Sequence, residues 1–387
     1  MKLKRVPQFF EDMARTAFML GLRHLMAKRR WTTLPPDWDA APRRVLWVRS
    51  DAVGDMILSL GVMRAIVAAH PNTTFDVLTN EKCLAVLDGV PFVRHVSTYH
   101  ERRWWRDIAM WVRLRRARYD AVIDALVLRK RVNTSRVFLL LATGSRYRIG
   151  MTGRPQDFIY SVPVAPGNPI DPHVEYLGRL ALPFGVDPAT TDLRPEIPLG
   201  DAERAHAEAM WEGTPGDGLR LLVNLSAAHP ERRWPDERFV ETVRRARAAW
   251  PDARILVIAL PPDRRSAELV AGAARGIAAC PPLRETMAIV AAADVVFTPD
   301  TAVVHIASAF RRTTVGLFRK DYFAWVPYRT PGRAVFGNDP LVLHDLPVEP
   351  AAAALLDALR ETSLRRTFRI GVPTPAPTPG RALRAAS

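Results

Sequence analysis

The sequence predicts an α/β protein made of two parallel-sheet domains in tandem. Three observations carry this. Short aliphatic runs alternate with helical segments from Arg44, and a second such series begins at Arg220. A proline-rich break, VPVAPGNPIDP, and an extended connector, DLRPEIPLG, lie between them. The 387 residues, 48% hydrophobic and 25% charged, suffice for two ordinary cores. Alternating strands and helices imply parallel strands covered on both faces.

In the first series RVLWV reads as a strand and ILSLGVMRAIVAA as its helix. TFDVLTN is a second strand, CLAVLDGV a short helix and VRHVSTYH a third strand. A basic helix leads to the strand DAVIDAL, RVFLLLATG is a helix, and RYRIGM is a short strand. HVEYLGRLALPFG follows the proline-rich break as a helix. In the second series LRLLVNLSA, ARILVIAL, DVVFTPD and TTVGLF are strands. ERFVETVRRARAAW, SAELVAGAARG, RETMAIVAAA and TAVVHIASAF are the helices among them, and AAAALLDALRETSLRRT closes the unit. The expected domains are 44–195 and 196–365, both Rossmann-like, with a ligand cleft between the carboxyl ends of their strands.

The ends read differently. Residues 1–43 hold a basic amphipathic helix, expected over residues 7–29, and a linker. Phe9, Phe10, Met13, Ala17, Leu20 and Met26 or Leu25 recur at helical steps, and eight Lys or Arg lie between Lys2 and Arg30. Such a helix lies in a membrane interface or packs on its own protein. It lacks the apolar run of a secretory signal or a spanning helix. The Pro-rich segment 366–387 has nothing to bury and is expected to be disordered.

The net charge of +15 points to an anionic partner: nucleic acid, a phosphorylated substrate or an anionic membrane surface. Cys83 and Cys280 form no CxxC pair, which suits a reducing compartment and excludes a thiolate zinc site. Neither HExxH nor a carboxylate cluster with metal-ligand spacing occurs. The only DxD, Asp37-Trp38-Asp39, lies in the linker, so no metal site is expected.

Four stretches could carry chemistry. RSDAVGD follows the first strand and is neither GxGxxG nor GxxxxGK[ST]. Its Asp55 is either an acid stabilised at a helix start or a general base facing the cleft. In FTPDTAVVHIASA, Asp300 and Thr301 sit at a strand-to-helix junction. The N–H groups of Thr301, Ala302 and Val303 could hold a phosphate there, or the acid and threonine merely cap the helix. His305 lies one turn in, as a cleft residue or an ordinary helix histidine. In NLSAAHPERRWPDERF, Arg232 and Arg233 are forks suited to phosphate oxygens or a solvated pair, and Trp234 is a core plug in the second reading. ERRWWRDIAMWVRLRRARYD interleaves Arg and Trp, which suits nucleic acid, anionic lipid or a phosphorylated glycolipid, or is simply a solvated helix with some core tryptophans.

Taken in this order, VRSDAVGDMILSLGVMRAI, RARYDAVIDAL, SRYRIGM, NLSAAHPERRWPDERF and ADVVFTPDTAVVHIASAF resemble glycosyltransferase family 9, the heptosyltransferases of lipopolysaccharide inner-core synthesis. The resemblance runs from about Arg44 to Thr362. It implies a GT-B fold, two Rossmann-like domains facing each other across a cleft. It also implies an inverting, metal-independent transferase with no cofactor. The donor would be a nucleotide-sugar, usually ADP-heptose, held by the second domain, and the acceptor an anionic glycolipid held by the first. Carried over, the general base falls on Asp55 and the phosphate-binding cation on Arg232. Donor contacts fall on Asp300, Thr301, Ala302 and His305, with Val303, Ser226 and Arg233 beside them. A ribose-binding acid falls on Asp263. Acceptor contacts are expected at Arg102, Arg103, Arg106, Arg129 and Lys130. Ala302 stands where the family has glycine, Arg232 where it has lysine, and LVLRKRVNTS where it has Gln-Gly-x-x-Lys-Ser.

The resulting expectation is a cytoplasmic enzyme, peripheral on the inner face of the inner membrane, that does not bind nucleic acid. Its oligomeric state is open. Two rivals stay beside it: a related transferase with another nucleotide-sugar and glycan, and a non-catalytic basic protein that binds nucleic acid or a membrane surface.

Overall fold

The computed structural model describes residues 17, 19–24, 26, 31–99, 108–126, 134–153 and 156–370. The first sheet contains β1 (Arg43–Val48), β2 (Thr73–Thr79), β3 (Val93–Thr98), β4 (Ala121–Asp124), β5 (Tyr147–Met151) and β6 (Val162–Val164), all parallel, in the order β3-β2-β1-β4-β5-β6. The second contains β7 (Arg220–Asn224), β8 (Arg254–Ile258), β9 (Ile277–Ala279), β10 (Val295–Pro299), β11 (Thr313–Phe318) and β12 (Gly332–Phe336), again parallel, in the order β12-β11-β10-β7-β8-β9. Each sheet therefore reverses its winding beside its first strand, between β1 and β4 and between β7 and β10. Ligands of open parallel sheets bind at that reversal, outside the carboxyl ends of the strands.

The helices of the first unit are α1 (Val53–Ala69), the single turn α2 (Leu84–Leu87), α3 (Ile108–Arg116), α4 (Thr134–Ala142) and α5 (His173–Gly178). Those of the second are α6 (Asp201–Glu212), α7 (Asp236–Ala249), α8 (Arg264–Ala273), α9 (Leu283–Ala292), α10 (Ala302–Ala309) and α11 (Val348–Ile370). Parallel strands are covered on both faces, so β1 is buried continuously from Val45 to Val48 and reads as an uninterrupted apolar run. Trp47 in that run is fully buried and meets Phe75 of β2 edge-on.

One apolar cluster continues through both units. It joins Met56, Leu60 and Met63 of α1 to Val303, Ile306 and Ala307 of α10. Close approach is enforced by small residues. A Cβ at Gly61 would lie 1.9 Å from the Leu193 carbonyl oxygen, so the connector presses directly on α1. Arg284 of α9 adds polar links, donating to the Pro198 carbonyl and, at 3.4 Å, to the carbonyls of Ala85 and Asp88.

Several elements differ from expectation. β6, β9 and β12 were not anticipated, and all three are edge strands. Two have only three residues, too short for a readable period, and β6 carries Pro163, which an edge tolerates because one side of the strand needs no donor. HVEYLGRLALPFG forms α5 and then a 3-10 segment from Arg179 to Phe184. α11 continues to Ile370, past the expected domain end at 365, and residues 371–387 lie outside the described residues. Of the amino-terminal helix, residues 17, 19–24 and 26 are helical. Its inward side is Met19, Leu22 and Met26, packed on the core of the first sheet, whereas Ala17 and Leu20 are exposed. The apolar stripe is thus rotated from the expected one. Among the described residues no helix is long and apolar enough to cross a membrane.

Candidate active site between the two sheets

Asp55 is the third residue of α1 and does not act as its cap, because the N-cap is Ala52 and makes no side-chain bond. Its carboxylate turns instead to a buried arginine at the end of β1. Arg49 Nη2 lies 2.8 Å from Asp55 Oδ1, and Asp51 accepts from Arg49 Nε at 2.9 Å and from Nη2 at 3.2 Å. Arg49 is 1% exposed. A third group, His173 at the start of α5, places Nε2 3.3 Å from Asp55 Oδ1. Burial works to raise the Asp55 pKa. The charge of Arg49 and the close approach of His173 overcome it and hold the carboxyl well below the usual carboxylate range. Burial pushes the pKa of His173 down against the pull of Asp55.

The second unit meets this cluster through α10. Gly54 touches His305 so closely that a Cβ would lie 2.8 Å from the imidazole Cδ2 and 3.6 Å from Ala302 Cα. His305 is buried, its Nδ1 has no hydrogen-bond partner among the described residues, and burial pushes its pKa down to about 4. It is therefore a neutral imidazole at pH 7, beside an ionised Asp55. Trp325, between β11 and β12, stacks on His173 with ring centroids 4.1 Å apart. One histidine beside Gly54-Asp55 thus belongs to the second unit, and the other, on Asp55, is clamped by it.

The geometry makes Gly54→Ala informative. The added methyl must displace a buried imidazole, at about 1–3 kcal/mol. The expected result is a lower thermal midpoint and a fall in kcat larger than the change in nucleotide affinity, read by calorimetry and steady-state kinetics.

Thr301 caps α10, its hydroxyl accepting from the Val303 amide at 3.3 Å. Val303, expected to offer its N–H to a ligand, is therefore engaged within the cap. Among the described residues the amides of Thr301 and Ala302 have no such partner. Asn224, at the end of β7, orients the turn by donating to the hydroxyls of Thr298 and Thr301. It also accepts from the Ser226 amide, which places Ser226 in the same mouth.

Asp300 is buried, with Arg232 Nη1 3.4 Å from its Oδ2. Burial raises its pKa against the charges of Arg232 and Arg319. Arg319 is itself buried and lies over the Tyr322 ring at 4.0 Å. The site therefore concentrates cations and open amides at the α10 end, where a diphosphate would be stabilised.

The adjacent arginines of the Arg-Arg-Trp-Pro stretch separate. Arg232 faces Asp300, whereas Arg233 pairs with Asp263 and donates to Ser266 and, at 3.4 Å, to Asp236. The two candidates Arg233 and Asp263 are thus each other's partners. Trp234 is fully buried, donates to the Leu346 carbonyl and meets Phe239 and Phe297 edge-on, which is the core-plug reading. Asp39 of the linker pairs with His70 at 2.6 Å. The positions Arg102, Arg103, Arg106, Arg129 and Lys130 lie outside the described residues. Among the described residues no group of three His, Cys, Asp or Glu is arranged to hold a metal ion.

Arg49, His173, Arg319 and Trp325 were not singled out in the sequence. Only Arg49 had a local signal, a cation ending a buried strand two residues before an acid.

The profile of "Glycosyltransferase family 9 (heptosyltransferase)" matches residues 108–333. The lipopolysaccharide core heptosyltransferase OpsX of Haemophilus influenzae is 21% identical over 294 residues, 73% of this chain and 81% of that protein. The family 9 glycosyl transferase of Veillonella parvula superposes with a TM-score of 0.71 at 16% identity, covering 84% of this chain and 99% of that one. The Escherichia coli heptosyltransferase WaaC with ADP superposes with a TM-score of 0.64 at 20% identity, covering 83% and 99%. The two facing parallel sheets are the GT-B architecture of these heptosyltransferases. The family profile spans more than half of the chain, and with it this chain belongs to glycosyltransferase family 9, as a heptosyltransferase-like glycosyltransferase.

Proposed function

We propose that this enzyme transfers a heptosyl residue from ADP-heptose to the inner core of lipopolysaccharide or a related anionic glycolipid, with inversion at C1 and without a metal ion. In this reading the first unit (44–195) holds the acceptor and the second (196–365) the nucleotide-sugar. The supporting observation is the junction of Gly54-Asp55 with α10, where a buried ionised carboxylate of one unit meets the phosphate-type site of the other. OpsX is named for lipopolysaccharide core heptosyl transfer, and WaaC was solved with ADP.

Asp55 accepts the proton of an acceptor hydroxyl as that oxygen bonds to C1. The bond from C1 to the diphosphate oxygen breaks, and ADP leaves on the opposite face with the electron pair. Its growing charge meets Arg232 and the amides of Thr301 and Ala302. The Arg49 pair keeps Asp55 ionised but lowers its proton affinity. Proton transfer is therefore late, when bonding to C1 has made the hydroxyl acidic.

Arg232→Ala tests the donor half. A hydrogen bond to a charged group contributes about 1.5–3 kcal/mol, so ADP affinity in calorimetry should fall about tenfold to a hundredfold. Unchanged affinity would assign the phosphate to other groups. A donor panel read by mass spectrometry distinguishes ADP-heptose from another nucleotide-sugar. In the same reading the enzyme is peripheral on the cytoplasmic face of the inner membrane, where such an acceptor is presented.

A further inference from the structure

A basin of about 1210 Å³ lies away from the cleft. It opens at the amino ends of the second sheet, roughly 16 Å along five-residue strands from the ends that carry Asn224 and Asp300. Arg220 and Arg254 begin β7 and β8, and Arg311 and Arg312 follow α10. Arg204 enters from α6, and Arg365 and Arg366 from α11. Arg194 of the connector and Arg329 before β12 complete the wall. These nine arginines face Glu208, Asp217 and Asp294, a formal excess of six positive charges on one concave surface. That is a large share of the net +15 of the chain.

Pairing within the basin is incomplete, although Arg194, Arg329 and Arg365 reach acids outside its lining, Asp192 at 3.5 Å, Glu175 at 4.0 Å and Glu361 at 3.5 Å. Glu208 is taken by both arms of Arg220. Asp294 accepts the Arg220 amide at 2.8 Å and stands 3.7 Å from Arg366. The Nε of Arg312, and the Nε and Nη1 of Arg194, are buried without a hydrogen-bond partner among the described residues. Burial, opposed by Asp294 and reinforced by Arg220, pushes the Arg312 pKa down. Crowded cations with unused N–H groups are costly, and a ligand rich in anionic oxygens offsets that cost. The basin exceeds the usual ligand pocket of about 300–1,000 Å³. A single phosphate would leave most of its forks unused, whereas guanidinium forks engage phosphoryl oxygens two at a time.

We propose that this basin is a second anion site, separate from the catalytic cleft, for a ligand carrying two or more phosphoryl groups. A phosphorylated lipid headgroup and a free oligophosphate share that chemistry. The assignment does not depend on the glycosyl-transfer reading.

The full chain is titrated with tripolyphosphate by calorimetry and floated with phosphatidylcholine vesicles containing phosphatidylinositol 4,5-bisphosphate, against pure phosphatidylcholine vesicles. The variants are Arg204→Gln/Arg311→Gln/Arg365→Gln, all exposed positions, and Arg232→Ala as the cleft control. At least tenfold weaker tripolyphosphate binding in the triple variant, with none in Arg232→Ala, supports a free oligophosphate. Loss of phosphatidylinositol 4,5-bisphosphate flotation in the triple variant, with no tripolyphosphate binding by the wild type, supports a lipid headgroup. The proposal is overturned if neither probe distinguishes wild type from the triple variant. It is equally overturned if tripolyphosphate binding is lost in Arg232→Ala and kept in the triple variant. Thermal melts check folding, and Arg311→Gln alone replaces the triple variant if that melts early.

Discussion

Asp55→Asn should lower kcat by about 10²–10⁴-fold, the range of general-base assistance, while ADP affinity stays near that of the wild type. Asparagine keeps the shape of the side chain and removes the basic oxygen. The proposed nucleotide contacts lie on the other unit, at Arg232 and the α10 amides, so binding and chemistry should separate. Arg49 retains Asp51 as a partner at 2.9 Å, so the buried cation is not stranded. Single-turnover kinetics and calorimetry on the same preparation check the split. A loss of ADP binding equal to the loss of rate would instead assign Asp55 to the architecture of the junction.

Arg49→Met should have the second large effect, through Asp55. Breaking a buried ion pair costs about 3–5 kcal/mol, since it leaves a carboxylate without its counter-charge. In the wild type the folded Asp55 pKa is depressed. Its contribution to stability is present above the ordinary carboxylate pKa and is lost only as pH falls through the depressed value, in strong acid. Without Arg49 the burial that raises the pKa meets less opposition. The acid limb of the pH–rate profile should therefore move up toward neutrality, because the proposed base acts only as the ionised carboxylate. Arg49→Lys keeps the charge and should restore most of the limb. That rescue separates an electrostatic role from loss of packing, and a limb unmoved in Arg49→Met would refute the pairing as the source of ionisation.

Much of this site was legible in the sequence because it is built where strands end and helices begin. RSDAVGD and FTPDTAVVH follow strands buried on both faces, so their apolar runs fix the junctions, and Asp55 and Thr301 fall within one turn of a helix start. Arg49, His173 and Trp325 were not legible, because what makes them important is distance in space. His173 reaches Asp55 across more than a hundred residues, and Trp325 reaches His173 from the other unit. The division between Arg232 and Arg233 was also invisible. Adjacent side chains of an irregular segment diverge, and the positions of Asp300 and Asp263 decide which acid each one meets. The missed strands β6, β9 and β12 are sheet edges, where short length and one-sided pairing weaken the pattern. Likewise, the inward stripe of the amino-terminal helix is set by the core it meets, at Met19 and Met26.

The most direct measurement of the central claim is a transfer assay with ADP-heptose and an inner-core glycolipid acceptor, read as the mass of the acceptor, with wild type and Asp55→Asn in parallel. The account predicts one added heptosyl residue with the wild type and almost none with the variant over the same time. Transfer by Asp55→Asn at the wild-type rate would contradict it.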